Sequence, residues 1–281
     1  MRRMVLAVGL TLWAGPAQAQ TIRPFTTFRQ LHGETRLHMR VEYAAGTLRL
    51  APGRPAELYR MDLSYDEDRF EPVSDFDGGS ASVVLGLRSL AQGGVRVVTR
   101  NQFQQVARLS LSPRVDLALD LSLGAADAEV ELGGLRVSAL NLTTGASRTV
   151  VSFSQPNATR CRRATFSAGA AELSVLGLGN SRCDEITFEG GIGKVTLDFS
   201  GAWSSSSNVK VTMAMGGLTL RLPRSVGVRL HMDRFLSSFE PTGLVRRGDA
   251  FLSENYDRAT RRLNLEITTA VGGVGVEWLD E

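Results

Sequence analysis

Apolar residues recur at every second position in a series of short runs from Leu117 onward: LALDLSLGAADAEVEL, LNLTTGASRTVVSF, ATFSAGAAELSVLGLG, ITFEGGIGKVTLDF, VKVTMAMGGLTLRL and LNLEITTAVGGVGVEW. A period of two puts alternate side chains on opposite faces of a strand. Each run therefore predicts strand, small-residue turn, strand, with one face buried. The runs share a register, because an apolar residue in the first strand is followed nine positions later by another in the second. The pairs are Leu121 and Val130, Leu142 and Val151, Phe166 and Val175, Phe188 and Leu197, Val211 and Leu220, Leu230 and Phe239, and Ile267 and Val276. An earlier copy, Val41 and Leu50, lies in VEYAAGTLRL. The residue five after the first member is small in Gly46, Ala126, Ser147, Ala171, Gly193, Gly216 and Gly272, and Phe235 is the exception.

From Leu121 to Leu230 the first members advance by 21, 24, 22, 23 and 19 residues. A fixed spacing inside the unit with a variable gap between units predicts rigid coil walls joined by loops of changing length, which is a parallel β-helix-like solenoid. A stack of hairpins is the alternative, since short turns can equally reverse the chain. The step from Leu230 to Ile267 is 37 residues and holds Pro241-Thr242-Gly243 and Arg247-Gly248-Asp249, so it predicts an insertion at about 240–260 with turns inside it. Ahead of the repeats, Tyr59 to Tyr65, Ala81 to Leu87 and Ala107 to Leu111 alternate, with Gly78-Gly79 and Gly93-Gly94 as breaks. These read as antiparallel strands, and the expected division is an N-terminal strand region over 20–116 capping a solenoid over 117–281.

Cys161 and Cys183 are the only cysteines, and each lies five residues before an equivalent aromatic, Phe166 and Phe188. In a parallel stack they occupy one position on consecutive coils, about 4.8 Å apart, which suits the Cα separation of a disulfide. The chain begins with Arg2 and Arg3, an apolar run from Met4 to Trp13 and the motif Ala17-Gln18-Ala19. That order predicts a secretory signal peptide, residues 1–19, in which the apolar run is too short to span a bilayer. Export to a periplasm or to the outside favours oxidation of the cysteine pair.

Removal of that segment leaves 30 basic side chains against 29 acidic ones. So balanced a chain carries no electrostatic footprint for nucleic acid. No further long apolar segment follows, so no transmembrane segment is expected in the mature chain. Candidate chemistry along the chain is equally sparse. His32, His38 and His231 are scattered, and Ser204 to Ser207 read as a loop rather than as nucleophiles. Asp66-Glu67-Asp68 and Asp75-Phe76-Asp77 read as solvated turns rather than calcium loops, and two thiols without a nearby histidine are too few for a metal. Arginine recurs at Arg160, Arg162, Arg163, Arg182, Arg221, Arg224, Arg229, Arg234, Arg246, Arg247, Arg258, Arg261 and Arg262. If coils stack, some of these line up along an edge and could meet anionic glycans or head groups; as a set among nearby acids they read as solvated charge. The expectation is a protein without enzymatic activity, cofactor or catalytic residue. Its partner would be an unidentified protein or envelope polymer. The alternatives are an accessory of envelope-stress signalling and a carbohydrate-active β-helix enzyme, which would need gathered carboxylates where this chain offers Asp198 alone beside Thr196 and Thr219.

Several segments resemble the toast-rack domain of bacterial envelope proteins, related to the C-terminal domain of LiaF-like proteins. The likeness lies in VEYAAGTLRLAPG, VDLALDLSLGAADAEVEL, GGIGKVTLDFSGAW, MGGLTLRLPRSVGVRL and GDAFLSENYDRATRRLNLEITTAVGGVGV, in consistent order along nearly the whole mature chain. The resemblance implies a stacked β-helix-like fold with no catalytic residue to carry over. LiaF-like proteins place transmembrane helices ahead of this domain, where this chain has the predicted signal segment instead.

Overall fold

The structure is a computed structural model and describes residues 21–91 and 104–280. The predicted signal segment 1–19 and the pair Gly93-Gly94 lie outside the described residues. The described chain is nearly all β, its one helix being the single turn α1, Leu178–Ser181.

Six long strands form the body: β2 (Arg36–Pro52), β7 (Asp116–Glu131), β10 (Cys161–Leu176), β11 (Cys183–Asp198), β12 (Ser207–Pro223) and β16 (Arg262–Leu279). Between β7 and β10 lies a rung built of two pieces, β8 (Arg136–Thr144) and β9 (Arg148–Ser152). All neighbours pair in parallel, in the order β2, β7, β8 with β9, β10, β11, β12, β16, and then β13 (Gly227–Phe239). Pairing of this kind excludes a hairpin stack for these strands, because a hairpin requires antiparallel neighbours.

The nine-residue register is visible in the ladder. Val41 pairs with Leu121, Leu121 with Leu142, Leu142 with Phe166, Phe166 with Phe188, and Phe188 with Val211. On the second wall Leu50 pairs with Val130, Val130 with Val151, Val151 with Val175, Val175 with Leu197, and Leu197 with Leu220. Every one of these side chains is buried in one core cluster, so the interior holds two columns of aliphatic and phenyl groups, each worth about 1.5–3 kcal/mol of burial.

Between the walls each strand turns a corner at the small residue. Gly46 pairs with Ala126, Ala171 with Gly193, Gly193 with Gly216, and Gly216 with Gly272. Gly46, Gly193, Gly216 and Gly272 have φ of 113°, 152°, 131° and 135°, whereas Ala126 and Ala171 turn without positive φ. The corner thus has two backbone solutions, and only one of them demands glycine.

At the far end the register differs from the sequence expectation. Val211 is followed in the stack by Ile267, not by Leu230. Strand β16, last in the chain, inserts between β12 and β13, and Met232 rather than Leu230 pairs with Ile267. The expected pair Leu230 and Phe239 is therefore two residues out of register. A slip of two preserves the alternation of inward and outward side chains, so the hydrophobic pattern does not detect it. With the register corrected, Ser237 faces Gly272, and the one exception to the small-residue corner disappears.

Before the body lie β1 (Ile22–Gln30), β3 (Glu57–Asp66), β4 (Phe70–Asp77), β5 (Ser82–Ser89) and β6 (Val106–Leu111). Strands β1 with β3, β3 with β6, and β4 with β5 are antiparallel. Strands β5 and β6 also pair in parallel with the two halves of β2, so together they act as a further split rung rather than as purely antiparallel cover. In the insertion, β14 (Leu244–Arg247) and β15 (Ala250–Ser253) form a hairpin that pairs with β13 over Arg229–His231. Phe251 of this hairpin meets Phe239 edge-on at 5.2 Å and lies over the end of the core.

Candidate functional site

Cys161 and Cys183 open β10 and β11, pair directly in the ladder and are joined by a disulfide, with Cα atoms 4.2 Å apart. Both are buried, so the bond ties two rungs and is not offered to solvent. The turns beside it are stitched by asparagine. Buried Asn157 donates through Nδ2 to the carbonyls of Val137 (2.7 Å) and Ser181 (2.9 Å), and its Oδ1 accepts from the Val137 amide (3.0 Å). Asn180 donates to the Phe153 carbonyl and accepts from the Ala202 amide. Sequence reasoning missed these asparagines, although each stands three or four residues before a cysteine, in NATRC and NSRC.

The groups singled out for possible chemistry are placed apart and mostly satisfied. His38 pairs with Asp120 at 2.8 Å, His32 contacts the Gln30 carbonyl, and His231 lies 3.7 Å from both Asp233 and Asp249. Asp198 is buried rather than outward-facing; it accepts from the Ser200 amide and lies 3.9 Å from Arg221. Ser207 is buried and donates to the Cys183 carbonyl, while Ser206 accepts from the Arg262 amide. Asp66 is buried and accepts from the Asp68 amide, and Glu67 pairs with Arg23. Asp77 accepts from the Ser80 hydroxyl and the Gly79 amide, which hold its carboxyl below the usual carboxylate range. Among the described residues no three His, Cys, Asp or Glu side chains converge as a metal site requires.

Many of the arginines bridge neighbouring rungs. Arg160 pairs with Asp184, Arg163 with Glu185, Arg221 with Glu277, and Arg224 with Asp280. These side chains are neutralised locally and exposed, each pair worth at most about 1 kcal/mol. These four therefore contribute nothing to a free cationic edge.

The outer face of the first wall is accessible, and in-register pairing there turns sequence positions into columns about 4.8 Å apart per rung. One column runs Thr143, Ser167, Glu189, Thr212, Thr268. Its neighbour runs Asn141, Thr165, Thr187, Lys210, Glu266. A third contains Glu185, Asn208 and Asn264, with Asn264 Nδ2 donating to Asn208 Oδ1 at 3.0 Å. A shallow depression of 220 Å³ lies among Glu185, Thr187, Asn208, Lys210, Asn264 and Glu266. A second, of 460 Å³, lies nearer the corner among Thr143, Ser167, Glu189, Gly191 and Thr212. Hydroxyls and amides of this density both donate and accept hydrogen bonds.

Fold and site together define an all-β protein of parallel, in-register rungs with polar columns on an accessible face. The chain belongs to the family described as the N-terminal domain of toast_rack, DUF2154, whose model matches residues 17–176. No curated protein matches the chain in sequence. A crystal structure of a candidate cell adhesion protein from Clostridium sporogenes superposes with a TM-score of 0.52 over 92% of this chain and 100% of its own, at 13% identity. A candidate adhesin from Bacteroides fragilis covers 91% of this chain and 97% of its own, at a TM-score of 0.41 and 9% identity. At such identities the first likeness speaks for the fold alone, and the second carries no weight. No helix among the described residues is long and apolar enough to cross a membrane.

Proposed function

We propose that this chain is an exported, non-enzymatic protein of the cell envelope or cell surface, a β-solenoid that binds a repeating envelope polymer along its first wall. The observation that carries the reading is the column Thr143, Ser167, Glu189, Thr212, Thr268 with its Asn and Thr neighbours: a polar lattice that repeats at a fixed pitch over five rungs. A ligand with its own repeat, such as a glycan strand, meets equivalent groups at each step, and many weak contacts then add as multivalency. In this reading residues 20–116 close one end of the solenoid, residues 117–281 carry the wall, and the hairpin of the insertion closes the other end. The buried disulfide and the adhesion assignment of the Clostridium sporogenes neighbour support a place outside the cytoplasm.

The test is co-sedimentation with insoluble cell-wall glycan, for the protein and for a variant carrying Asn208→Ala, Thr212→Ala and Asn264→Ala. Retention of the protein, lost at least tenfold in the variant and little changed by salt, is expected. Equal sedimentation of the two, or none by either, would overturn the reading.

A further inference from the structure

The corner between the two walls carries an apolar ridge that neither the core nor the polar wall uses. Ile192, Met215, Val271 and Leu236 are direct ladder neighbours on four successive rungs, and the residues are 59%, 47%, 37% and 66% exposed. Phe235, beside Leu236, is 80% exposed. In the earlier rungs the corresponding residues are Ala170, Ala125 and Ala45. The ridge is therefore confined to the last four rungs and is flanked by glycine and alanine, which leave it standing proud. Isolated apolar side chains on a surface are ordinary, whereas a contiguous line of four aliphatics ending in a phenyl ring marks an interaction surface.

We propose that the ridge binds the same ridge of a second copy of this chain, about a two-fold axis parallel to the stack. The occupant is identified by charge. On its first rung the ridge is bracketed by Glu189 on the first wall and Lys194 on the second, both exposed, and neither forms an ion pair among the described residues. A two-fold axis along the stack sets the first wall of one copy against the second wall of the other. Each Glu189 then opposes the second copy's Lys194, twice per dimer, while like rungs mesh. The opposite orientation, with ridges antiparallel, brings first wall to first wall and sets Glu189 against the second copy's Asp233, which occupies the same column at the far end of the ridge. Like charges there select the parallel arrangement. An isologous contact of this kind closes as a dimer; it takes up Glu189 at the corner edge of the polar wall and leaves the columns through Lys210 and Asn208 open.

The experiment is sedimentation equilibrium on the purified protein, with dissociation expected in the micromolar range because the ridge is smaller than a standard interface, about 800 Å² per partner. Val271→Glu, at a site where the side chain already faces solvent, should weaken the dimer at least tenfold while leaving the circular dichroism spectrum and the thermal midpoint unchanged. Glu189→Lys alone should weaken it, and Glu189→Lys with Lys194→Glu should restore it. A monomer at about 100 µM would overturn the proposal. So would a dimer indifferent to Val271→Glu, or one that the charge swap fails to restore. Binding of the monomer to anionic phospholipid vesicles through the ridge would overturn it in favour of a lipid surface.

Discussion

Replacing Gly216 with alanine places a methyl group where the corner has no room. An added Cβ would stand 1.9 Å from the Gly193 carbonyl oxygen and 2.9 Å from its carbon. Both are backbone atoms of the next rung and cannot swing away as a flexible side chain does. The residue also holds φ at 131°, a region that costs an L-residue about 1–3 kcal/mol, and relief of the overlap adds about 1–3 kcal/mol. The expected loss is about 3 kcal/mol, read in urea as a midpoint lower by roughly 1 M. Ala171→Gly in the same column is the control. There the corner turns without positive φ, so only the entropy of glycine is added, about 0.5–1 kcal/mol. Circular dichroism at the β minimum and tryptophan emission report the two transitions. Equal effects of the two substitutions, or a Gly216→Ala shift within about 0.5 kcal/mol of the parent, would refute the account of the corner.

The stitched turns, the disulfide and the Glu131 carboxyl give further outcomes. Asn157→Ala removes four side-chain hydrogen bonds and should cost about 2–4 kcal/mol by the same unfolding assay, with Asn157→Asp also impaired because it loses the amide donors. Cys161→Ser with Cys183→Ser should lower stability by about 3 kcal/mol, and the parent protein treated with reductant after denaturation should match it. Burial pushes the Glu131 carboxyl up, but hydrogen bonds from the Ser152 hydroxyl and the amides of Gly133 and Ser154 outweigh it and hold it below the ordinary glutamate range. A carboxyl depressed in the folded state contributes stability that is present above its unfolded pKa, about 4.3, and is lost as pH falls through the lower folded value. Glu131→Gln should therefore flatten the fall in stability below about pH 4.3, measured as thermal midpoint against pH.

Much of the architecture was legible because the stack forces one local rule on every rung. Inward side chains alternate on each wall and shift phase at a corner, so the nine-residue step from Phe166 to Val175 or from Phe188 to Leu197 is visible without any structure. The cysteine pair was legible for the same reason, since equivalent positions on consecutive rungs are neighbours. The far end was not. Strand β16 enters between β12 and β13, and sequence order carries no mark of that insertion, because β16 has the same pattern as every other rung. The two-residue slip at Leu230 was invisible because alternation repeats every two residues. Phe235, which broke the small-residue rule, was the available signal that the register there was wrong. On the polar wall the outward Thr, Ser and Asn residues that pair are far apart in the chain, by 22 residues for Thr165 with Thr187 and by 56 for Asn208 with Asn264, and only pairing gathers them. The buried carboxyl of Asp198 is a similar case: alternation places it outward, but a local bond to the Ser200 amide folds it back.

In the parallel stack β16, the last described strand, lies directly beside β12. Thr212 and Thr268 share a column on adjacent rungs, and Asp233 lies one rung further on in the same column. Adjacent rungs are about 4.8 Å apart and alternate ones about 9.6 Å, on either side of the roughly 7 Å limit for a disulfide. Paired substitutions Thr212→Cys with Thr268→Cys, and Thr212→Cys with Asp233→Cys, oxidised mildly and mapped by peptide mass spectrometry, measure this order. The first pair is predicted to cross-link within the monomer while the second stays reduced. Cross-linking of the second pair, with the first remaining free, would contradict it.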